Sequence, residues 1–448
     1  MNRRILQLAL PSIVSNIVVP LLGLMDLTIA GHLGATAFIG AIAVGAMMFN
    51  LTYWNFGFLR MGTSGMTAQA FGRGDTAEAF RVLVRAATLG TLLGLAIIAL
   101  QFPLQWLLLL AIGPSPEVTE LARSYFYICV WGAPAMLATM SLSGWFLGMQ
   151  NSVYPMTVSI FVNILNITAS LACVFLLDMG FRGVAVGTLV SQWGGLLLSL
   201  FMMARLIRRH GIRFPQSDSD KKSAAWIQTL DLPNMGKFFT VNRDIFLRSL
   251  CLMLVTLFFT SAGARRGDLT LAVNALIMQL FVLYSYFMDG FAFASEALAG
   301  RYTGERNATE LRRCIRGLFL WGTVVMAVFA LAYGLAGNEI MALLTDDRNV
   351  VQHAADYRWW SVVIPIVGMG AFIWDGVYIG LTATRQMLIA LFSATIAFFG
   401  LYYGLSLLSP DGFFADPNNI LWISFIAYLF TRSAAQSLMA PRLLRQAF

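Results

Sequence analysis

Asp26 is a carboxylate set in an apolar run. Residues 5–31 read ILQLALPSIVSNIVVPLLGLMDLTIAG and hold no other charge. Near the centre of a lipid-spanning helix, a carboxylate costs roughly +2.5 to +3.5 kcal/mol. Such a group persists where it faces a cavity, pairs with a partner or carries a proton. Pro20 precedes it in the same run, lacks an N–H and clashes with the turn before it, so the helix can bend beside the acid. An acid next to a hinge suits chemistry in which proton uptake is tied to movement. The plainer alternative is an acid packed permanently against polar neighbours.

Other polar residues lie inside apolar runs. Asn163, Asn166 and Ser170 follow i, i+3, i+7 spacing and share one helix face. Thr188, Ser191 and Gln192 form a second patch. Both sets read either as partners of Asp26 or as interhelical hydrogen bonds worth under about 1 kcal/mol each. The second half is more highly charged. Arg243, Asp244 and Arg248 fall in one run, with Asp244 and Arg248 at ion-pair spacing. Asp289 and Glu296 share a face, and Asp375 sits within FIWDGVYIG. Arg243 or Arg248 would neutralise Asp289 or Asp375. A network of that kind is fixed in place, because removing one member strands the other at about 3–5 kcal/mol; a second coupling site is the alternative. Arg60 and Arg432 are expected to snorkel. Clusters such as Met47-Met48-Phe49, Tyr53-Trp54 and 281–287 suit lipid contact or an adaptable cavity for bulky cations.

Several classes are excluded. No GxxxxGK[ST] loop exists to cradle phosphates, and no GxSxG nucleophile elbow, so neither an ATP-driven pump nor an enzyme is expected, and no cofactor. The glycines of FGRGD and TGER read as turns. Cys129, Cys173, Cys251 and Cys314 form no CxxC pair, hence no expected metal site or disulfide framework. The net charge of +8 comes from residues at the ends of apolar runs, which argues against a nucleic-acid partner.

The elements that must position these groups are membrane helices. The 448 residues are 58% hydrophobic and only 12% charged, with a mean hydropathy of +0.73, so the chain reads as an all-α polytopic membrane protein whose partner is the bilayer. Runs of about 20 apolar residues, the length a span requires, lie near 5–31, 36–59, 86–112, 121–147, 153–177, 184–204, 238–262, 269–295, 317–337, 358–382, 386–408 and 418–440. With the N-terminus taken as cytoplasmic, twenty Lys and Arg fall on the inner side and six on the outer. Both termini are therefore expected in the cytoplasm. A cleavable leader is not expected, since the basic start Met1-Asn-Arg-Arg4 leads directly into the first run without a small-residue cleavage site.

The chain also repeats itself. A shift of 232 residues pairs Ala30-Gly31 with Ala262-Gly263, Gly72 with Gly304, Glu78 with Glu310 and Arg81 with Arg313. It also pairs Tyr125 with Tyr357, Gly144 with Gly376 and Gly148 with Gly380. The polar stretch 208–236 divides the spans six and six, giving an N-lobe (1–207), a cytoplasmic linker (208–236) and a C-lobe (237–448). Each half has an even number of spans, so the repeats run parallel, about an axis along the membrane normal. Parallel repeats of this type belong to secondary transporters that work by alternating access.

At LALPSIVSNIVVPLLGLMDLTIAGHLG (8–34), LRMGTSGMTAQAFG (59–72), VNILNI (162–167), GVAVGTLVSQ (183–192), NRDIFLRSL (242–250), MDGFAFASEALAG (288–300) and WDGVYIGLTATRQM (374–387), the chain resembles the multidrug and toxic compound extrusion (MATE) family, in its DinF-like branch. The resemblance implies twelve helices in two six-helix lobes around a V-shaped central cavity, in a monomer of the bacterial inner membrane. It implies export of small amphipathic, often cationic, compounds against inward H+ or Na+. The family's N-lobe acid is matched by Asp26, its span-5 Asn by Asn166 and its span-6 Thr by Thr188. The position of its second N-lobe acid holds Ser170. One carboxylate fits H+ better than a Na+ cage, since hard cations favour anionic oxygens. The family's C-lobe acid is matched by Asp375, which leaves Na+ open there. A lipid-linked oligosaccharide flippase of the same superfamily is the rival reading.

Overall fold

The computed structural model describes residues 1–33, 36–210, 232–345, 347–408 and 416–448. Most of the linker expected at 208–236 lies outside them. Every regular element among the described residues is a helix. In chain order these are α1 (Asn2–Gly31), α2 (Thr36–Tyr53), α3 (Phe58–Gly72), α4 (Thr76–Ala99), α5 (Gln101–Ile112), α6 (Pro116–Cys129), α7 (Ala133–Gly148), α8 (Val153–Leu171) and α9 (Phe181–His210). There follow α10 (Leu232–Ala264), α11 (Asp268–Gly304), α12 (Ala308–Leu344), α13 (Arg348–Gly380), α14 (Thr384–Leu408) and α15 (Pro417–Gln446).

Among the described residues, eleven helical stretches are long and apolar enough to cross a membrane. The thirty-residue α15 falls short of that hydropathy because it carries Arg432, Gln436 and several serines. The run 86–112 is not one helix but two. Asp75 accepts a hydrogen bond from the Glu78 N–H at 2.9 Å and starts α4 earlier, at Thr76. The helix then breaks at Leu100 (φ −95°, ψ 13°), and Pro103 sits in the first turn of α5, where its missing N–H costs little. In contrast, α1 runs unbroken through Pro20.

The described residues form two compact units. One comprises Val14–Asn242; the other comprises Met1–Ile13 together with Arg243–Phe448. The first packs Leu83, Leu142, Trp145, Phe146 and Leu206 into a core shared by α4, α7 and α9. The second buries Phe259, Ile277, Phe398, Trp422 and Phe425 from α10, α11, α14 and α15.

The internal repeat has a three-dimensional counterpart in each unit. A Cβ at Gly144 on α7 would overlap the Arg60 carbonyl oxygen of α3; one at Gly376 on α13 would overlap that of Ala292 on α11. One turn on, a Cβ at Gly148 would lie 2.7 Å from the Ser64 oxygen, and one at Gly380 would lie 2.6 Å from the Glu296 oxygen. Every one of these pairs is related by the same 232-residue shift. The turns repeat too: Gly74 and Arg306 have φ of 73° and 53°, Gln150 and Thr382 63° and 54°. Asn307 caps α12 through the Glu310 N–H at 3.0 Å, as Asp75 caps α4.

Candidate functional site

In the unit Val14–Asn242, three helices bring neutral polar groups to the α1 carboxylate. Asp26 is 2% exposed. Its Oδ2 accepts from the Thr188 hydroxyl of α9 at 3.0 Å and, more weakly, from the Tyr125 hydroxyl of α6 at 3.4 Å. Asn166 of α8 donates through Nδ2 to Thr188 Oγ1 at 3.0 Å. The α8–α9 approach is possible because position 187 is glycine: a Cβ there would stand 2.5 Å from the Ser170 nitrogen. Tyr125 is seated in the same way, its ring lying where a Cβ at Gly45 would come within 2.9 Å of Cε1.

The unsatisfied atoms are as informative as the bonds. Asp26 Oδ1, Asn166 Oδ1 and Asn163 Oδ1 are buried and have no hydrogen-bond partner among the described residues. No basic side chain among them pairs with Asp26. A buried acceptor without a partner costs about 1–3 kcal/mol, and a proton on the carboxyl, or water beside it, relieves that cost. Thr188 is also 3.1 Å from the Val184 carbonyl oxygen. Its single proton can serve Asp26 or Val184, while its oxygen keeps room to accept. Thr188 can therefore hydrogen-bond Asp26 Oδ2 in either protonation state without moving a helix.

The remaining predicted partners lie farther off. Asn163 turns its Nδ2 to the Ser159 carbonyl at 3.0 Å, and Ser159 pairs with Ser15 of α1 at 2.9 Å. Ser170 is buried with Oγ 3.5 Å from the Val184 oxygen. Ser191 donates to the Thr188 carbonyl at 2.8 Å. Of the aromatic clusters, Phe49 stacks on Tyr53 and Phe126, at 5.5 and 5.3 Å between centroids. Trp54 and Met47 are exposed.

The other unit holds a different kind of carboxylate. Asp375 Oδ2 accepts from Nη2 of both Arg248 (α10) and Arg432 (α15), and Oδ1 accepts from Gln436 Nε2 at 2.6 Å. All four side chains are buried. Arg432 thus does not snorkel; it is held at depth by Asp375, with Asp289 close enough to add electrostatic attraction. The expected Asp244–Arg248 pair does not form either. Asp244 pairs with its neighbour Arg243 at 2.9 Å and accepts from Thr384 at 3.3 Å, because Arg248 is already committed across the helix interface. Glu296 is buried on α11, with its backbone against Gly380.

Two participants escape a reading of the sequence. Tyr125 surfaces there only as a repeat match, and Gln436 is one among many span-end amides. Arg432 and Gln436 do stand at i, i+4 on one helix face, the signal that could have joined them. Among the described residues no group of three or more His, Cys, Asp or Glu is arranged to hold a metal ion, and the four cysteines are free thiols.

Comparison with known proteins agrees with the duplicated architecture. The MatE family profile matches twice, at residues 11–171 and 245–403. The two matches are offset by 234 residues at their starts and 232 at their ends. The chain is 35% identical to DNA damage-inducible protein F of Escherichia coli (strain K12), over 96% of this chain and 90% of that protein. It is 26% identical to multidrug and toxin extrusion protein 1 of Danio rerio, over 96% of this chain and 70% of that one. Among solved structures, the Vibrio cholerae MATE transporter VcmN in its bent form superposes with a TM-score of 0.81 at 17% identity, covering 100% of this chain and 97% of that one. That likeness supports the two-lobe all-helical fold.

Proposed function

The chain belongs to the MatE family of transporters, and from that premise we propose that it exports amphipathic, often cationic, compounds in exchange for protons, with Asp26 as the group that takes up and releases the proton. One observation carries this reading. Asp26 is buried, touches only neutral donors, and leaves Oδ1 without a partner among the described residues. Such a carboxyl gains or loses a proton without breaking an ion pair. Asp375 is the opposite case, since two guanidinium groups and an amide occupy its oxygens. A sodium ion there would have to displace an arginine. One carboxylate with amide and hydroxyl neighbours is also a poor cage for a hard cation, which prefers several anionic oxygens. Protons are therefore the favoured coupling ion, and the Asp375 cluster acts as a fixed brace.

The excess of Lys and Arg on one side orients both termini toward the cytoplasm of a bacterial inner membrane. Moving one net charge down 100 mV is worth about 2.3 kcal/mol, roughly a fifty-fold gradient at 1.4 kcal/mol per decade. Exchange of one proton for a monovalent cation moves no net charge, so the pH difference alone drives it. Dye efflux from proteoliposomes tests the reading, with sodium omitted and the pH gradient collapsed in turn. Asp26→Asn is expected to abolish efflux driven by a pH gradient; an Asp26→Asn protein that still exports rejects the role.

A further inference from the structure

A cavity of about 380 Å³ lies between the stretch 356–363 of α13 and the start of α15, within one compact unit. Its wall includes Asp356, Tyr357, Trp359, Trp360, Asp416 and Asn419. Three aromatic rings and two carboxylates in one concave site are the chemistry that recognises an organic cation, which gains from ring faces and from charge together. The volume is within the range of small-ligand pockets.

The site is built rather than accidental. The Tyr357 hydroxyl donates to Asp416 Oδ2, and Asp416 Oδ1 accepts from the Asn418 N–H at 2.8 Å, which pins the carboxylate at the head of α15. Trp360 Nε1 donates to Asn419 Oδ1 at 3.3 Å and fixes the second wall. Asp356 makes no ion pair or hydrogen bond among the described residues, so its charge is available. The guanidinium of Arg358 already lies over the Trp359 ring, 5.2 Å from its centroid. That ring therefore already takes a cation on one of its faces in this structure. Tyr357 is also the repeat counterpart of Tyr125. Each tyrosine gives its proton to a carboxylate on another element, Asp26 in one unit and Asp416 in the other.

We infer that this cavity binds monovalent aromatic cations at a site separate from Asp26. In the orientation proposed above it opens on the outer face, where an exported cation emerges. Binding itself does not depend on that orientation.

Ethidium is a suitable probe, with equilibrium dialysis against the full chain in nanodiscs at low salt. Binding is measured in the parent and in the Asp26→Asn chain. A binding component survives Asp26→Asn. In that background Asp356→Asn and Trp359→Ala each weaken it three- to ten-fold. These residues lie at the exposed rim of the site, and thermal unfolding identifies any variant that fails to fold. Asp416→Asn removes the other charge while keeping a competent helix cap. Unchanged affinity on Asp356→Asn and Trp359→Ala overturns the inference, as does the absence of any binding in the Asp26→Asn chain. Proton dependence of export, measured in the Asp356→Asn protein, stays at the parent level, so this site and the Asp26 reading fail separately.

Discussion

The Thr188 hydroxyl lies 3.0 Å from Asp26 Oδ2 and 3.1 Å from the Val184 carbonyl oxygen, yet it owns one proton. With Asp26 ionised, that proton is shared with the carboxylate. With Asp26 protonated, the acid donates to Thr188 and Thr188 donates to Val184. Asn166 donates to the same oxygen in both states. On the proposed reading, Thr188 would thus pass a change in the charge on Asp26 to the backbone of α9.

Replacing Thr188 by Ala removes a donor to the ionised acid. Hydrogen bonds to charged groups are worth about 1.5–3 kcal/mol, or roughly one to two pH units at 1.36 kcal/mol per unit. The ionised form is the one that loses, so the proton is held to higher pH and the export profile moves in the alkaline direction. Ser at this position restores the parent profile. An unshifted profile in Thr188→Ala would show that the hydroxyl is only packing.

Tyr125→Phe acts on the same acid through a longer contact of 3.4 Å. Its effect on the pH profile is expected to be less than half that of Thr188→Ala in the same proteoliposome assay. A larger shift would make the phenol, not the threonine, the principal donor.

Asp375 separates a brace from a coupling site. Asp375→Asn leaves Arg248 and Arg432 buried together and lowers stability by about 3–5 kcal/mol, read as earlier thermal unfolding. The double variant Asp375→Asn/Arg248→Gln removes one charge of each sign and recovers part of that loss. The folded double variant retains pH-driven dye export; loss of export with stability recovered would move the coupling role to this cluster.

Gly144 and Gly376 make the same close crossing in the two halves. Ala at either site meets a backbone carbonyl that cannot swing aside, and each substitution is expected to cost about 1–3 kcal/mol. Gly23 is the contrast: a methyl added there would meet nothing within 4 Å, so Ala raises stability, by up to about 1 kcal/mol. Thermal melts of the three variants check the ordering.

Much of this is legible in the chain. Asp26, Asn166 and Thr188 stand out because lipid penalises polar groups, and the structure gathers them at one point. The twelve apolar runs and the 232-residue repeat follow from composition and spacing alone. What stays hidden depends on which helix faces which. Arg248 sits four residues from Asp244 but pairs with Asp375, 127 residues away. Local spacing names an available partner; tertiary packing decides whether a better one arrives. Arg432 departs from its expected place for the same reason, since snorkelling is the default only for a cation with no buried acid in reach. The break at Leu100 is masked by continuous hydrophobicity on both sides of it.

The paired crossings at Gly144 and Gly376, each followed four residues later by another glycine, bring a main-chain carbonyl of the facing helix to where the glycine's own side chain would start. A seam of that sort is insensitive to drift everywhere else along the helices. It works as an internal ruler: two such glycine pairs at a fixed interval date the fold to a doubled gene, even where the acids that give each half its chemistry have parted company.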